Sequence, residues 1–412
     1  MAAKQKAITT DVTIVGGGHS GCTMAALLGA GGVNAVCIDQ DDPVKTLGAD
    51  FDGRTTAISH GSQRVIDAAG AWDGVRPQAC PIKSIKITES GSPTLLEFLN
   101  QEAKAEAFGW IVENRLLRKS LCARVAALNN IQHIAPSKVT GFEQGKDIIK
   151  TFLADGREIH SKLVIGADGR NSFTREQMGI ATRGWRYNQR ALVCVIHHEK
   201  PHNHTAVEDF RGSGPFAILP MMDDEKGKHR SALVWTEHGN EKDSAVHWDE
   251  DVFNAAITER FPASYGAVRV TGKRFSYPLG LIHAQSYTSS RMALVADAAH
   301  GIHPIAGQGL NIGLRDIAVL SELLIDAKNS GTDLGGDTLL HMYESRRRAD
   351  NMAMAAATDL LNKLFSNDSK SLRALRIAGL KMVQKIGPAR RFFMKQAMGE
   401  GGQIPTLRGL KK

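Results

Sequence analysis

Patterned cysteine is missing from this chain. Cys22, Cys37, Cys80, Cys122 and Cys194 are odd in number, widely scattered and form no CxxC or CxxH pair. That spacing offers no disulfide framework and no metal-ligand set, and it points to a reducing compartment. Long apolar runs are missing too, so no membrane-spanning helix is expected. Lys4 and Lys6 lead directly into a strand-like segment rather than an apolar signal-peptide core. Acid is nearly missing from the C-terminal end: from Ser369 to Lys412 there are eleven basic residues and one acid, Glu400. The net charge of +8 therefore belongs to a tail. A broad nucleic-acid-binding face on the main body is excluded, and the tail interleaves no aromatics beyond Phe392 and Phe393.

What is present is ordinary globular material with one excess. Apolar residues make up 42% and charged residues 23% of 412 positions, which excludes a disordered or collagenous chain and allows about two to three domains. Glycine is the excess, at 41 residues. Without repeats, that suggests loops whose backbone must approach something closely.

The chain opens with a strand-like Asp11-Val12-Thr13-Ile14-Val15, then Gly16-Gly17-Gly18-His19-Ser20-Gly21, a small-residue helical stretch, and Asn34-Ala35-Val36-Cys37-Ile38-Asp39. Strand, glycine turn, helix and strand make a βαβ unit, which implies a parallel sheet with right-handed crossover. Two later apolar runs, Leu163–Gly166 and Met292–Ala296, read as buried strands of the same sheet. Between about 183 and 290 the pattern alternates, with polar turns between short strands, as in an antiparallel sheet. From Leu310 onward it is helical.

Three segments can carry chemistry. In the first, Gly16 permits the turn out of the strand, Gly18 lets the backbone approach a pyrophosphate at a helix N-terminus, and Gly21 lets the helix pack on the strand. Asp39 lies 18 residues beyond Gly21, where a carboxylate can accept hydrogen bonds from a ribose. The plain alternative is an ordinary tight turn, and this segment alone does not separate NAD from FAD. The second is Gly166-Ala167-Asp168-Gly169-Arg170, which in isolation reads as a turn. The third runs from Asp297 through His303, Pro304, Gly307, Gln308 and Gly309 to Asn311. There a glycine loop opens a long helix whose free N–H groups suit developing negative charge, such as that at N1 and O2 of a reduced flavin.

In order and spacing the three segments resemble the FAD-dependent aromatic hydroxylases, the single-component flavoprotein monooxygenases, over nearly the whole chain. Asp52-Gly53-Arg54-Thr55-Thr56-Ala57-Ile58-Ser59, Glu113-Asn114-Arg115-x-Leu117, His303 to Asn311, and Ala397-Met398-Gly399 before Pro405-x-Leu407-x-x-Gly409 resemble the ubiquinone-biosynthesis hydroxylases of that family. The fold so implied is α/β: a Rossmann-like FAD-binding domain (1–75, 106–182 and 290–365), an inserted, mostly antiparallel β-sheet substrate domain (76–105 and 183–289), and a basic C-terminal helical region (366–412). By the resemblance, Gly16, Gly18, Gly21 and Asp39 hold the ADP part of FAD. Arg54 and Arg115 contact the cofactor, Val139 touches adenine through its backbone, and Asp168 lies near the pyrophosphate. Asp297 binds the ribityl chain, and Pro304, Gly307, Gln308, Gly309 and Asn311 form the loop at the pyrimidine edge. One departure stands out: the family's third motif usually begins Gly-Asp, and here it is Ala296-Asp297, so a methyl group is expected to crowd the flavin slightly.

The implied reaction hydroxylates the aromatic ring of a polyprenylphenol in ubiquinone biosynthesis, using reduced flavin, O₂ and a C4a-hydroperoxide. No second GxGxxG follows a strand, so NADPH, NADH or a protein reductase would dock transiently as electron donor. Hydroxylation of a soluble phenol, flavin-dependent reduction of isoprenoid double bonds, and a non-catalytic place in a biosynthetic assembly are the alternatives. His303 is a candidate proton shuttle, or equally a polar residue orienting the loop. In the tail, Leu372, Leu375, Met382, Val383 and Ile386 fall near helical spacing, with Lys370, Arg373, Arg376, Lys381 and Lys385 interleaved. That fits a helix packed on the body, or a basic amphipathic helix for an anionic membrane surface or a partner protein. The expected location is cytoplasmic, with peripheral attachment to the inner face of the membrane as its extension.

Overall fold

The structure, a computed structural model, describes residues 6–48, 53–303, 307–366, 370–401 and 407. Pro304, Pro405 and Gly409 lie outside the described residues, as do the side chains of Lys370, Leu372 and Leu375.

The strands Val12–Val15, Ala35–Ile38 and Leu163–Gly166 are buried at every position. Continuous apolar runs of this kind need a cover on both faces. They form the middle of a six-stranded sheet in the order Thr288–Ser289, Met292–Leu294, Leu163–Gly166, Val12–Val15, Ala35–Ile38, Ile131–Ile134. Its pairs are parallel except the first. Alternate side chains go to opposite layers, as a pleated strand requires. Ile14, Cys37 and Ile165 join a core with the helices His19–Ala30, Asn114–Ala126 and Gln308–Ser330. Val15, Val36, Ile38 and Val164 pack the other way, against a four-stranded sheet that includes Val139–Gln144 and Ile149–Leu153. The result is a three-layer α/β body.

The second large sheet has eight strands. Their order is His300–Gly301, Val268–Ala284, Thr182–His198, Arg230–His238, Gly214–Pro220, Thr205–Arg211, Ser84–Glu89, Leu96–Leu99. Every pair is antiparallel except Thr205–Arg211 with Ser84–Glu89. Segments either side of the first α/β crossovers thus share one sheet. One face buries Leu192, Phe216, Leu233 and Trp235 against the helix Glu250–Arg260. The opposite face, with Val195, Ala206 and Ala232, turns toward Ala57 and Ile111 of the small sheet Thr55–Ser59, Gly109–Glu113, Cys80–Ile82 and toward Met394 and Met398 of the C-terminal end.

The helical end comprises Gln308–Ser330, Asp337–Phe365, Lys370–Lys385 and Gly387–Ala397. No described helix is long and apolar enough to cross a membrane. The basic spacing of the tail divides on folding. Arg376 is buried on Glu89, whereas Lys381, Lys385, Arg391 and Lys395 stay exposed.

Candidate active site

The glycine loop after Val15 is shaped by the chain itself at two positions and left open at a third. Gly16 has φ +103°, and a Cβ there would lie 2.5 Å from the Ala167 carbonyl oxygen. A Cβ on Gly21 would meet the Gly16 carbonyl oxygen at 1.7 Å. At Gly18 a Cβ would meet no atom of the described residues within 4 Å. Internal packing therefore accounts for Gly16 and Gly21, while the space at Gly18 is left for something outside the chain. Helix His19–Ala30 begins there with no side-chain cap and no acid in its first turn, so its free N–H groups and positive dipole end face that space.

Asp39 sits at the end of the second strand, where the Arg118 guanidinium donates to its Oδ2 at 2.9 Å. Burial pushes the Asp39 carboxyl up, and the Asp41 N–H and Arg118 pull it back. His133 stands beside it, its Nε2 buried without a partner among the described residues. A shallow hollow lined by Gln40, Pro136, Ser137 and Lys138 lies beyond. Val139 is buried in the adjoining strand, opposite Leu153.

Asp168 adjoins the same loop through its backbone. Its carboxylate is already engaged: Oδ1 accepts Ser172 Oγ at 2.5 Å, and Oδ2 accepts the Thr174 N–H at 2.8 Å and its hydroxyl at 2.9 Å. The side chain anchors the turn, and what it offers the site is position.

Asp297 behaves differently. Its carboxylate is reached by water, yet protein surrounds it closely enough that desolvation raises its pKa, with His300 and Arg170 opposing. Accessible but crowded is the signature of a recess. The turn behind it hangs on a buried network that the sequence reading missed. Asp316 Oδ2 accepts the Ala296 N–H at 3.2 Å and His300 Nε2–H at 2.6 Å; Oδ1 accepts Arg347 Nε–H at 2.8 Å and Asn351 Nδ2–H at 2.9 Å. These contacts hold the Asp316 carboxyl far below its ordinary range against the cost of burial. Only the inward stripe of Asp337–Phe365 identifies Arg347 as the buried member of the Arg346-Arg347-Arg348 run, and that stripe is too polar for an apolar periodicity search to find.

The Ala296 methyl does not point where the sequence suggests. Ala296 is buried, and a Cβ on Gly313 would meet its Cβ at 2.5 Å. The methyl therefore faces the helix Gln308–Ser330, and the departure from glycine shows itself as a φ of +53°.

That helix starts at Gly307, again with no side-chain cap, and a Cβ on Gly309 would meet no atom of the described residues within 4 Å. The side chain of Asn311 is fully engaged: Oδ1 accepts the Ser59 N–H at 2.9 Å, and Nδ2 donates to the Ala57 and Gly307 carbonyls at 2.8 Å each. Asn311 thus ties the loop to the strand Thr55–Ser59, and its donor toward the site is the main-chain N–H. Gln308 is buried in the first turn.

Arg54 is exposed at the rim, its carbonyl accepting the Asn114 N–H at 3.1 Å. Arg115 Nε donates to Glu113 Oε2 at 2.8 Å, and Glu113 Oε1 meets Arg230 at 3.0 Å, linking the rim to the large sheet. His303 is buried edge-on to the Tyr187 ring, centroids 5.2 Å apart, with neither ring nitrogen partnered among the described residues. Burial pushes its pKa down to about 4, so the ring is neutral at pH 7.

The fold also assembles Cys80, His202 and His204, whose ligand atoms lie within 4.8 Å of one another. Sequence spacing gives no sign of this grouping. His202 Nε2–H donates to the Met221 carbonyl at 2.8 Å and Nδ1 accepts the His204 N–H at 3.0 Å. Burial, with Asp223 nearby, pushes the Cys80 thiol up to about 12. A ring with both nitrogens engaged and an un-ionised thiol make a poor metal donor set.

Two uncapped helix starts, two open glycine positions and an accessible carboxylate supply donors and an acceptor. They fit FAD: N–H groups for the pyrophosphate and the pyrimidine edge, and Asp297 for hydroxyls. Comparison with known proteins agrees. The FAD binding domain family matches residues 9–358. The ubiquinone hydroxylase UbiL of Rhodospirillum rubrum is 44% identical over 400 residues, covering 96% of this chain and 92% of that one. The 3-demethoxyubiquinol 3-hydroxylase of Escherichia coli is 31% identical over 392 residues, covering 95% and 98%. Among solved structures, the p-nitrophenol 4-monooxygenase PnpA of Pseudomonas putida superposes with a TM-score of 0.78 at 20% identity, over 96% of this chain and 99% of that one.

Proposed function

This chain belongs to the FAD-dependent aromatic hydroxylases, in their ubiquinone hydroxylase branch, and from that premise we propose that it hydroxylates the aromatic ring of a polyprenylphenol intermediate in ubiquinone biosynthesis. The observation that carries the reading is that two helix starts, at Gly18 and Gly309, are each left open by the described residues, with the accessible Asp297 carboxylate on the turn packed against the second helix. Bound and reduced, FAD supplies the activated oxygen from O₂; the protein supplies the rest. The main-chain N–H groups of residues 308 to 311 stabilise charge at the pyrimidine end. The loop that Gly16 and Gly21 shape seats the pyrophosphate at Gly18, Asp39 the ribose, Asp297 the ribityl hydroxyls, and Arg54 and Arg115 close the rim. Asp168 and Asn311 position the loops through their internal bonds.

In this reading the eight-stranded sheet belongs to a substrate domain (76–105 and 183–289) set into the nucleotide-binding body. NADPH, NADH or a protein reductase delivers electrons from outside. The exposed Met382, Ile386, Phe392 and Phe393, interleaved with Lys381, Lys385, Arg391 and Lys395, rest the tail on an anionic membrane where a prenylated substrate resides.

The test is turnover of a short prenylphenol by the FAD-loaded protein under ¹⁸O₂. The expected product carries one labelled oxygen on the ring. Oxygen uptake that yields only hydrogen peroxide at every prenylphenol tried, or a saturated prenyl chain made without oxygen, overturns the proposal.

A further inference from the structure

The eight-stranded sheet presents one unpartnered carboxylate to the substrate side. Residues paired across strands share a face, so the registers place Phe275, Val193, Val234, Ala217, Glu208 and Ile87 in one row across six strands. This is the face that carries Val195, Ala206 and Ala232 toward the small sheet and the C-terminal helices. At the end of the row the Phe275 ring lies against Gly53, where a Cβ would come within 3.0 Å of it, beside Arg54. Five of the six residues are partly accessible although they sit in interior strands under cover. The row is therefore not sealed by its cover, and it is apolar apart from Glu208.

The other carboxylate on this face, Glu89, is bound to Arg376. Glu208 has no hydrogen-bond or ion-pair partner among the described residues. A carboxylate set in an apolar wall without a partner is costly, and folding alone gives no reason for it: an aliphatic side chain would complete the row. Desolvation, with Asp209 adding repulsion, pushes its pKa up to about 7. A base of that strength is better matched to a phenol than an ordinary carboxylate is.

We propose that Glu208 receives the phenolic hydroxyl of the substrate, accepting its hydrogen bond and, as the ring reacts, its proton. The assignment rests on the phenol substrate proposed above. The O–H bond of the phenol breaks, the proton bonds to a Glu208 oxygen, and the electron pair stays on the phenol oxygen, where it enriches the ring carbon that forms the new C–O bond. When that carbon gives up its hydrogen as H⁺ to water, the C–H electron pair restores the aromatic ring, and Glu208 returns its proton to the phenol oxygen and is again a carboxylate. No other group on the row can make this contact.

The test compares binding of 2-prenylphenol and its methyl ether, which lacks the hydroxyl, to the FAD-loaded protein by equilibrium dialysis, in wild type, Glu208→Gln and Glu208→Leu. Wild type should prefer the phenol at least about tenfold, as a charge-assisted hydrogen bond implies. The preference should shrink to threefold or less in Glu208→Gln and vanish in Glu208→Leu. Glu208→Gln keeps the shape of the side chain, so it decides the matter if the leucine variant misfolds. Equal binding of the two ligands by wild type, or a full preference in Glu208→Gln, overturns the assignment. Turnover is scored separately: a wild type that prefers the phenol yet leaves its ring unhydroxylated upholds the contact and removes the function proposed for it.

Discussion

Ala296 occupies the left-handed region, at φ +53°, one residue before the recessed Asp297. An L-residue there costs roughly 1–2 kcal/mol, and its methyl faces Gly313, a helix position with no side chain to resist it. The two residues are therefore coupled. Gly313→Ala should destabilise by about 2 kcal/mol through overpacking, and Ala296→Gly in the same chain should recover about half of that. Urea unfolding of the two single variants and the double variant reads the coupling; strictly additive effects would contradict it. His303 carries a second residue-scale consequence. Its folded pKa of about 4 lies below the ordinary 6.5, so the unfolded chain binds a proton that the folded chain refuses. Stability is then full above pH 6.5 and declines as pH falls toward 4, by about 2 kcal/mol between pH 7 and pH 5. His303→Gln should lose that much less than wild type over the same interval, measured by urea unfolding at the two pH values. An unchanged pH dependence would place the proton elsewhere.

At the scale of elements, the parts whose signal is local were legible. The run Val12–Val15, the glycine turn and Ala35–Ile38 announce a βαβ unit because both strands are buried on two faces and read as unbroken apolar runs. The alternating strands Thr182–His198 and Arg230–His238 announce a half-covered sheet for the opposite reason. What remained hidden depends on contacts distant in sequence. Asp316, Arg347 and Asn351 hold the turn at Ala296 from two helices, and each alone reads as a solvated residue. Glu208 reads as the polar member of an alternating strand until the register shows which face it joins. The tail was legible in composition and not in detail: Arg376 turns inward to Glu89, while Phe392 and Phe393 turn outward. If the outward face rests on lipid, the protein should sediment with vesicles containing anionic phospholipid and release at high salt. Phe392→Ser with Phe393→Ser should weaken that binding at least tenfold, since each ring removes on the order of 2 kcal/mol of apolar burial. Equal binding to neutral vesicles, or no loss in the double variant, would assign these helices to some other partner.

For the whole molecule, the proposed reaction draws on two bodies. The nucleotide-binding body brings two helix starts and Asp297 to it; the eight-stranded sheet brings an apolar wall with Glu208. Neither half suffices for ring hydroxylation. In the proposed reading the first would hold the flavin without shaping a substrate, and the second would shelter an apolar phenol without supplying an oxidant. The measurement that bears most directly on this account is product analysis after turnover of a short prenylphenol under ¹⁸O₂ by the FAD-loaded protein with NADPH or NADH, or a reductase in their place. One labelled oxygen is expected on the aromatic ring, in step with oxygen consumed. Recovery of the phenol unchanged, with all consumed oxygen appearing as hydrogen peroxide whatever the electron donor, would contradict it.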